Sequence, residues 1–357
     1  MRLVDLDQIQ GLVVDVLNGS ISDQQAEECQ GYKRTFLEIN PFILSASDGL
    51  SKILLEAGLA PSVDFYPIQT AGIVFEGAPL LISRSKEQIM LDTSLSLSEK
   101  RQLMKLVRLD LAQIPDPHIL LADYCRLSLG IDGASRIFAV VAYGVCRASS
   151  RREAESLSVA EAAAASRSYF ASLQRLDGTA AWLYPVGGTN LIIQSLCRAA
   201  AVQGTVHLLD QHSLEICLDQ EEESWRLSGL FDDKEWRVTA DLVINNESLP
   251  IESARFTRTF LVLRKGRGLF GDSGCCYWTV PPKNPVEYCI SILQVPIDDL
   301  LVLYGWAKHE RATSEELQTC IKSLLLHEEA RLILSASYSN YPTHEQHIRV
   351  NKVLAQV

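Results

Sequence analysis

The sequence predicts an α/β protein whose sheet is interrupted by an all-helical segment, and three observations predict it. A hairpin pattern stands before residue 95, a long stretch almost free of strand signals follows, and from Thr205 onward short apolar runs suited to strands come in quick succession. The expected organisation is residues 1–95 as the first part of an α/β domain, 96–179 as a helical domain, and 180–357 as the remainder of the α/β domain with an antiparallel sheet.

Each element has a local reason. Between Pro41 and Leu59, the residues Leu50, Ile53, Leu54 and Leu55 give a helix an apolar face, and Gly58 ends it. Gly72–Ile82 alternates and turns as a hairpin. Leu95–Ser98 leads into a capped helix start at Glu99, and Leu103, Leu106, Val107 and Leu111 recur at helical spacing. Ile119–Leu127, Ile137–Val145 and the Ala-rich Val159–Leu176 continue the helical pattern. Pro115, Pro117, Gly130, Gly133 and the stretch Ser149-Ser150-Arg151-Arg152 punctuate it. Then Trp182–Pro185 has strand or turn character, Gly187-Gly188 breaks the chain, Leu191–Ala201 is helical, and Gly204 releases the backbone. Strands are expected at Val206–Leu209, Leu214–Leu218, Trp225–Leu227, Trp236–Thr239 and Leu242–Asn245. A second set is expected at Phe256–Leu263, Cys276–Val280, Tyr288–Val295 and Leu301–Tyr304. Thr313–Glu328 is an amphipathic helix opened by a Thr313/Glu316 capping box, and Arg331–Tyr338 is a last strand.

Composition bounds the class. With 357 residues and 47% hydrophobic content the chain can bury an extensive core, and size argues for two domains. Nine scattered cysteines, an odd number without paired spacing, favour reduced thiols in the cytosol. No signal peptide and no apolar run of about 18 residues, the length of a membrane span, is present. Leu12–Leu17 is interrupted by Asp15 and followed by Asn18-Gly19. A soluble, cytoplasmic protein without a transmembrane segment is expected. A net charge of -11 argues against a nucleic-acid partner.

Three apparent chemical motifs fail on context. Gly266-Arg-Gly268-Leu-Phe-Gly271 fits the dinucleotide string, but that mechanism needs a helix amino terminus facing the pyrophosphate. Asp272–Val280 instead returns to strand, so a hairpin loop is expected. His344-Glu-Gln-His347 offers an i,i+3 pair with no third ligand, and a solvated tail is expected. Cys275 and Cys276 point to opposite faces of a strand and cannot jointly chelate. No nucleophile elbow, phosphate loop or carboxylate pair is found, so the sequence assigns no catalytic residue, cofactor or metal.

The segment Leu183-Tyr184-Pro185, Gly188, Gln194, Arg198, Ala201 and Gly204 resembles one family, the Rab escort proteins and Rab GDP-dissociation inhibitors. All eight fall on fixed positions of its loop–helix–strand signature. Gly187 stands where that family has Tyr, Asn190 where it has Gly, Leu191 where it has an acidic residue, and Ile193 where it has Pro. Upstream, Tyr32-Lys-Arg-Thr-Phe36, the helix within Pro41–Leu59, and Asp64-Phe65-Tyr66 are similar to the escort-protein pattern. Glu99-Lys100-Arg101, with Met104-Lys105, is closer to the escort proteins than to the inhibitors. The resemblance runs patchily over residues 31–335.

The resemblance implies a FAD/NAD(P)-binding-like mixed sheet with an inserted all-α domain. It implies a non-catalytic accessory component of Rab geranylgeranyl transferase in vesicle-mediated, intracellular protein transport. Its partners would be GDP-bound Rab GTPases, the transferase heterodimer, and the geranylgeranyl lipid carried by the Rab. Carried over position by position, the Rab-binding residues would be Tyr184, Gly188, Gln194 and Arg198. The family opens with a strand, a glycine-rich turn and a helix. Met1–Gln30 has no Gly-x-Gly turn, and no closing glycine-rich segment follows Tyr341-Pro342, so a chain lacking the N-terminal βαβ unit is expected. Three other readings stay open: a Rab GDP-dissociation inhibitor that recycles prenylated Rabs, a flavin amine oxidase-like enzyme sharing the fold, and an inactive fragment of the family.

Overall fold

The structure, a computed structural model, describes residues 41–349 apart from 108, 110–113, 115, 134, 208–211, 220–223, 232–233, 244–255, 265–267, 273, 284–285, 298–299, 326–331 and 341–346. The opening Met1–Gln30, the stretch Tyr32–Phe36 and the first three residues of His344–His347 therefore lie outside the described residues. Two units make up the chain, one of residues up to Leu191 together with those from Ala254 on, the other of Ile192–Ser253.

Strand β1 (Leu44–Ser45) leads to helix α1 (Gly49–Glu56), whose cap Asp48 accepts a hydrogen bond from the Ser51 N–H at 2.9 Å. Strand β2 (Phe65–Pro67) is followed by the hairpin of β3 (Thr70–Phe75) and β4 (Ala78–Leu81). Its two turn residues, Glu76 and Gly77, take φ of 52° and 86°, as the tight turns that match strand twist require. Among the described residues six helices follow: α2 (Lys86–Leu91), α3 (Leu97–Val107), α4 (Leu121–Tyr124), α5 (Arg136–Ala139), α6 (Arg151–Ser156) and α7 (Val159–Arg175). Helices α4 and α5 widen into π turns over Cys125–Leu129 and Val140–Val145. Then come β5 (Trp182–Pro185), α8 (Thr189–Val202), and strands β6 (His212–Asp219), β7 (Ser224–Phe231) and β8 (Lys234–Ala240). The chain closes with β9 (Phe256–Arg264), β10 (Cys276–Val280), β11 (Ile290–Ile297), β12 (Leu300–Lys308), α9 (Ser314–Ser323), β13 (Leu332–Asn340) and β14 (His347–Arg349).

This order agrees with the α/β class and helical insert expected, and three local expectations are corrected. Ser149–Arg152 is not a plain break, because the Ser150 hydroxyl accepts from the Glu153 N–H and so starts α6. His347, placed in a tail by the sequence reading, opens strand β14 and pairs with Ser339. Val206, His207 and Leu242 are not in strands, the rest of those two expected strands (208–209 and 244–245) lies outside the described residues, and the first described strand after Gly204 is His212–Asp219.

An eight-stranded mixed sheet, ordered β14-β13-β9-β12-β11-β10-β3-β4, organises the first unit. Every neighbouring pair is antiparallel except β10 with β3. The inner strands are almost continuously apolar because both faces are covered. Phe260, Val262, Tyr277, Leu293, Val295, Val302 and Tyr304 point to one side, into a core completed by Leu103, Leu106, Leu121, Ile137–Val145, Val159 and Leu173 of the helical insert. Leu261, Leu263, Cys276, Trp278, Ile292, Leu301 and Leu303 point to the other, onto Leu317 and Ile321 of α9. Cys275 and Cys276 accordingly belong to different cores, as the two-residue strand period demands. Each fully buried Leu, Ile or Val contributes about 1.5–3 kcal/mol.

Polar groups fix the insert. The Glu99 carboxylate caps α3 through the Ser96 N–H at 2.8 Å, and Arg136 of α5 donates to both of its oxygens at 2.6 and 2.7 Å. Two charge-assisted bonds in parallel lock α3 to α5 and hold the Glu99 carboxyl down at about 2, from an ordinary 4.5, the Arg136 bonds being the main cause. Ser158 and Glu161 form a full capping box on α7, as Thr313 and Glu316 do on α9.

The segment between β9 and β10 is not the hairpin loop that the glycine string suggested. β9 pairs with β12 and β13, whereas β10 pairs with β11 and β3, so the loop carries the chain across the sheet. It turns around a buried side chain. The Gln294 Oε1 accepts from the Leu269 N–H at 2.8 Å, and its Nε2 donates to the carbonyls of Asp272 at 3.0 Å and Gly274 at 2.8 Å. A Cβ on Gly268 would lie 2.0 Å from Gln294 Oε1, which is why glycine stands there.

The Glu99–Arg136 pair sets an expectation for pH. Its folded-state pKa lies below the unfolded value, so its contribution is complete above about pH 4.5 and disappears as pH falls toward 2. Glu99→Gln should cost about 1–2 kcal/mol at neutral pH, and the gap to the native chain should narrow at pH 3, read from urea midpoints. Gln294→Leu leaves the buried Leu269 N–H without its acceptor and removes the amide donors from the partly buried Asp272 and Gly274 carbonyls, and unfolding curves should register a loss of about 1–3 kcal/mol.

Candidate functional site

The strand–turn–helix from Trp182 to Val202 is built around aromatic burial at its start. Trp182 packs edge-on against Tyr169 at 5.3 Å and against Tyr277 at 5.8 Å, joining α7 to the main sheet. Strand β5 lies between β1 and β2, with Leu183 opposite Leu44 and Tyr184 opposite Tyr66. Just before it, the wholly buried Ser172 hydroxyl donates to the Ala181 carbonyl at 2.5 Å and accepts from the Ala46 N–H at 2.8 Å. That single group spends its donor and acceptor tying α7 to the strands on either side.

Two of the four predicted site residues belong to this frame. Tyr184 is 2% exposed, its ring 6.5 Å from that of Tyr304. Gly188 is buried with φ of +88°, a left-handed conformation suited to glycine. The Gly188 N–H donates to the Pro185 carbonyl at 2.9 Å, and the Gly188 carbonyl accepts from Leu191 at 3.1 Å, turning strand into helix. The other two lie in the second unit. Gln194 and Arg198 are both exposed and sit four residues apart, hence on one face of α8, while Ile192 and Ser195 are buried on another. Among the described residues, Arg198 makes no ion pair. The structure thus brings Gln194 and Arg198 together on one surface and makes Tyr184 and Gly188 parts of the turn that leads to them. Sequence reading missed the buried supports, Ser172 and Trp182 with its two tyrosines; the Ala-rich spacing of α7 around Ser172 was the only local signal for a close helix–strand approach.

The same geometry limits what else the chain offers. After Gly268 the backbone runs into β10, with no helix amino terminus for a phosphate, and the space a ligand backbone would approach holds Gln294. Among the described residues no three His, Cys, Asp or Glu side chains gather as a metal site. The thiols of the buried Cys125 and Cys275 and the partly buried Cys146 are pushed up to about 12 by desolvation, which makes them poor nucleophiles. No helix among the described residues is long and apolar enough to cross a membrane.

Comparison with known proteins gives a consistent picture. No family model matches the chain. The mouse (Mus musculus) protein "Rab proteins geranylgeranyltransferase component A 2" is 22% identical over 307 residues, 80% of this chain and 48% of its own. The chain thus spans about half the length of this curated relative. Among solved structures, a Rab GDI from Plasmodium falciparum superposes with a TM-score of 0.64 at 14% identity, over 85% of this chain and 74% of that one. Putrescine oxidase bound to putrescine gives a TM-score of 0.48 at 14% identity, over 84% and 73%. In sequence order and in fold, the family that this chain resembles is that of the Rab escort proteins and Rab GDP-dissociation inhibitors.

Proposed function

We propose that the chain is a Rab escort protein-like, non-catalytic accessory component that binds GDP-loaded Rab GTPases in the cytoplasm and presents them to geranylgeranyl transferase, in vesicle-mediated transport. The observation that carries this reading is the division of labour along the signature segment. Tyr184 and Gly188 are buried and set the turn, and Gln194 and Arg198 stand exposed on one face of the helix that follows. In this reading Arg198, with its fixed charge and forked donors, and Gln194 meet the Rab directly. The mouse relative, whose name places it in a Rab geranylgeranyl transferase, supports the transferase as a further partner.

The physical need is solubilisation. Each buried CH₂ of an isoprenoid contributes about 0.8 kcal/mol, so a prenylated Rab needs an apolar cover away from the membrane. The helical insert is where this proposal puts the lipid.

Arg198→Ala and Gln194→Ala should weaken binding of a GDP-loaded Rab by about tenfold each, the range of a peripheral charged or polar anchor. Both residues are exposed, so thermal stability should stay within about 0.5 kcal/mol of the native chain. Tyr184→Ala should instead cost about 3–5 kcal/mol of stability, as loss of a large core aromatic does. The test is a pull-down of the purified chain against GDP-loaded Rab and against the transferase heterodimer, with and without geranylgeranyl diphosphate. Binding to both supports the escort role; binding to Rab alone points to a GDP-dissociation inhibitor; binding to neither by the folded chain overturns the reading.

A further inference from the structure

The corner between α2 and α3 exposes a run of aliphatic side chains that no described residue covers. Leu91 is 78% exposed, Leu97 56% and Met90 48%, and the Lys100 ammonium donates to the Met90 carbonyl at 2.6 Å, which places the end of α2 beside the first turn of α3. On α3, Leu97, Arg101 and Lys105 succeed one another at four-residue steps and so form one stripe. Leu103 and Leu106 are buried on the opposite side of the same helix. Arg101 and Lys105 are exposed. Of the corner's acidic groups, Glu99 is held by both arms of Arg136, the Asp92 carboxylate accepts from the Ser94 N–H and hydroxyl at 2.8 and 2.6 Å, and the exposed Glu87 in the first turn of α2 is offset by the neighbouring exposed Lys86. The outer face is left aliphatic and cationic, on a chain whose net charge is -11.

We propose that this corner docks on the anionic headgroup surface of a lipid bilayer. Met90, Leu91 and Leu97 enter the headgroup boundary, and Lys100, Arg101 and Lys105 meet the lipid charges. Charge complementarity selects this occupant. A chain of net charge -11 is repelled by an anionic membrane except through a local cationic face, and aliphatic side chains beside cations are what an interfacial helix presents. A protein interface would be built on aromatic anchors in a shaped pocket, and this corner has no aromatic residue. The inference is independent of Rab binding, since it uses none of Tyr184, Gly188, Gln194 or Arg198.

Co-sedimentation of the whole chain with vesicles of phosphatidylcholine plus phosphatidylserine, and with phosphatidylcholine alone, tests it. The native chain should pellet with the anionic vesicles, release as salt is raised, and bind the neutral ones far more weakly. Each cation near the surface is worth about a fivefold change, so the double variant Arg101→Glu, Lys105→Glu should lose about 20-fold or more. Leu91→Asp together with Leu97→Asp should lose binding comparably, with an unchanged melting temperature because both side chains are exposed. Failure of the native chain to bind anionic vesicles, equal binding to neutral ones, or retention by either double variant would overturn the proposal.

Discussion

Strands β9 to β12 are buried on both faces, and that constraint governs the rest of the first unit. A strand in this position must supply apolar side chains to two different cores with a period of two, and the alternation of Phe260 and Val262 against Leu261 and Leu263 does so. One core is finished by the helical insert, the other by α9, so the insert is not an appendage hung on a finished sheet. Amide and hydroxyl side chains on these strands have their hydrogen bonds met, whereas the buried Trp278 indole N–H has no partner among the described residues. Gln294 is wholly buried with both ends of its amide engaged, and the Thr257 hydroxyl donates to the Ala312 carbonyl at 2.9 Å.

Such strands were legible in the sequence because double burial writes itself as an unbroken apolar run, and helices α3, α7 and α9 because their caps are local. What stayed hidden was pairing over distance. Nothing near Gly268 says that β10 will lie beside β3 instead of β9, and that misled the reading of the glycine string as a hairpin. Glu99 could be read as a helix cap, but its stronger partner, Arg136, is on another helix. Ser150 looked like a break in an arginine-rich stretch because one hydroxyl starting a six-residue helix leaves little trace in composition.

The candidate site was half legible for a related reason. A motif records which positions are restricted, and it does not say whether the restriction comes from packing or from a partner. Burial separates the two: Tyr184 and Gly188 are restricted by the turn they make, and Gln194 and Arg198 have no packing reason for their identity. Leu191 stands where the family that this chain resembles has an acidic residue, and under the proposed reading Arg198 is the principal charge of the motif.

Strand β10 joins β3 in parallel, with Thr70 opposite Cys276, and this junction has a consequence for how the chain comes into being. A hairpin can form as it leaves the ribosome, but β3 and β4 must then wait, one edge unsatisfied, while the insert and the whole second unit are synthesised. Closing so distant a pair carries a loop-entropy cost that local contacts cannot repay early. Until β10 arrives, the apolar faces of the insert lack the floor they finally rest on. The newborn chain is therefore most exposed to aggregation over the interval before β9 to β12 are all in place.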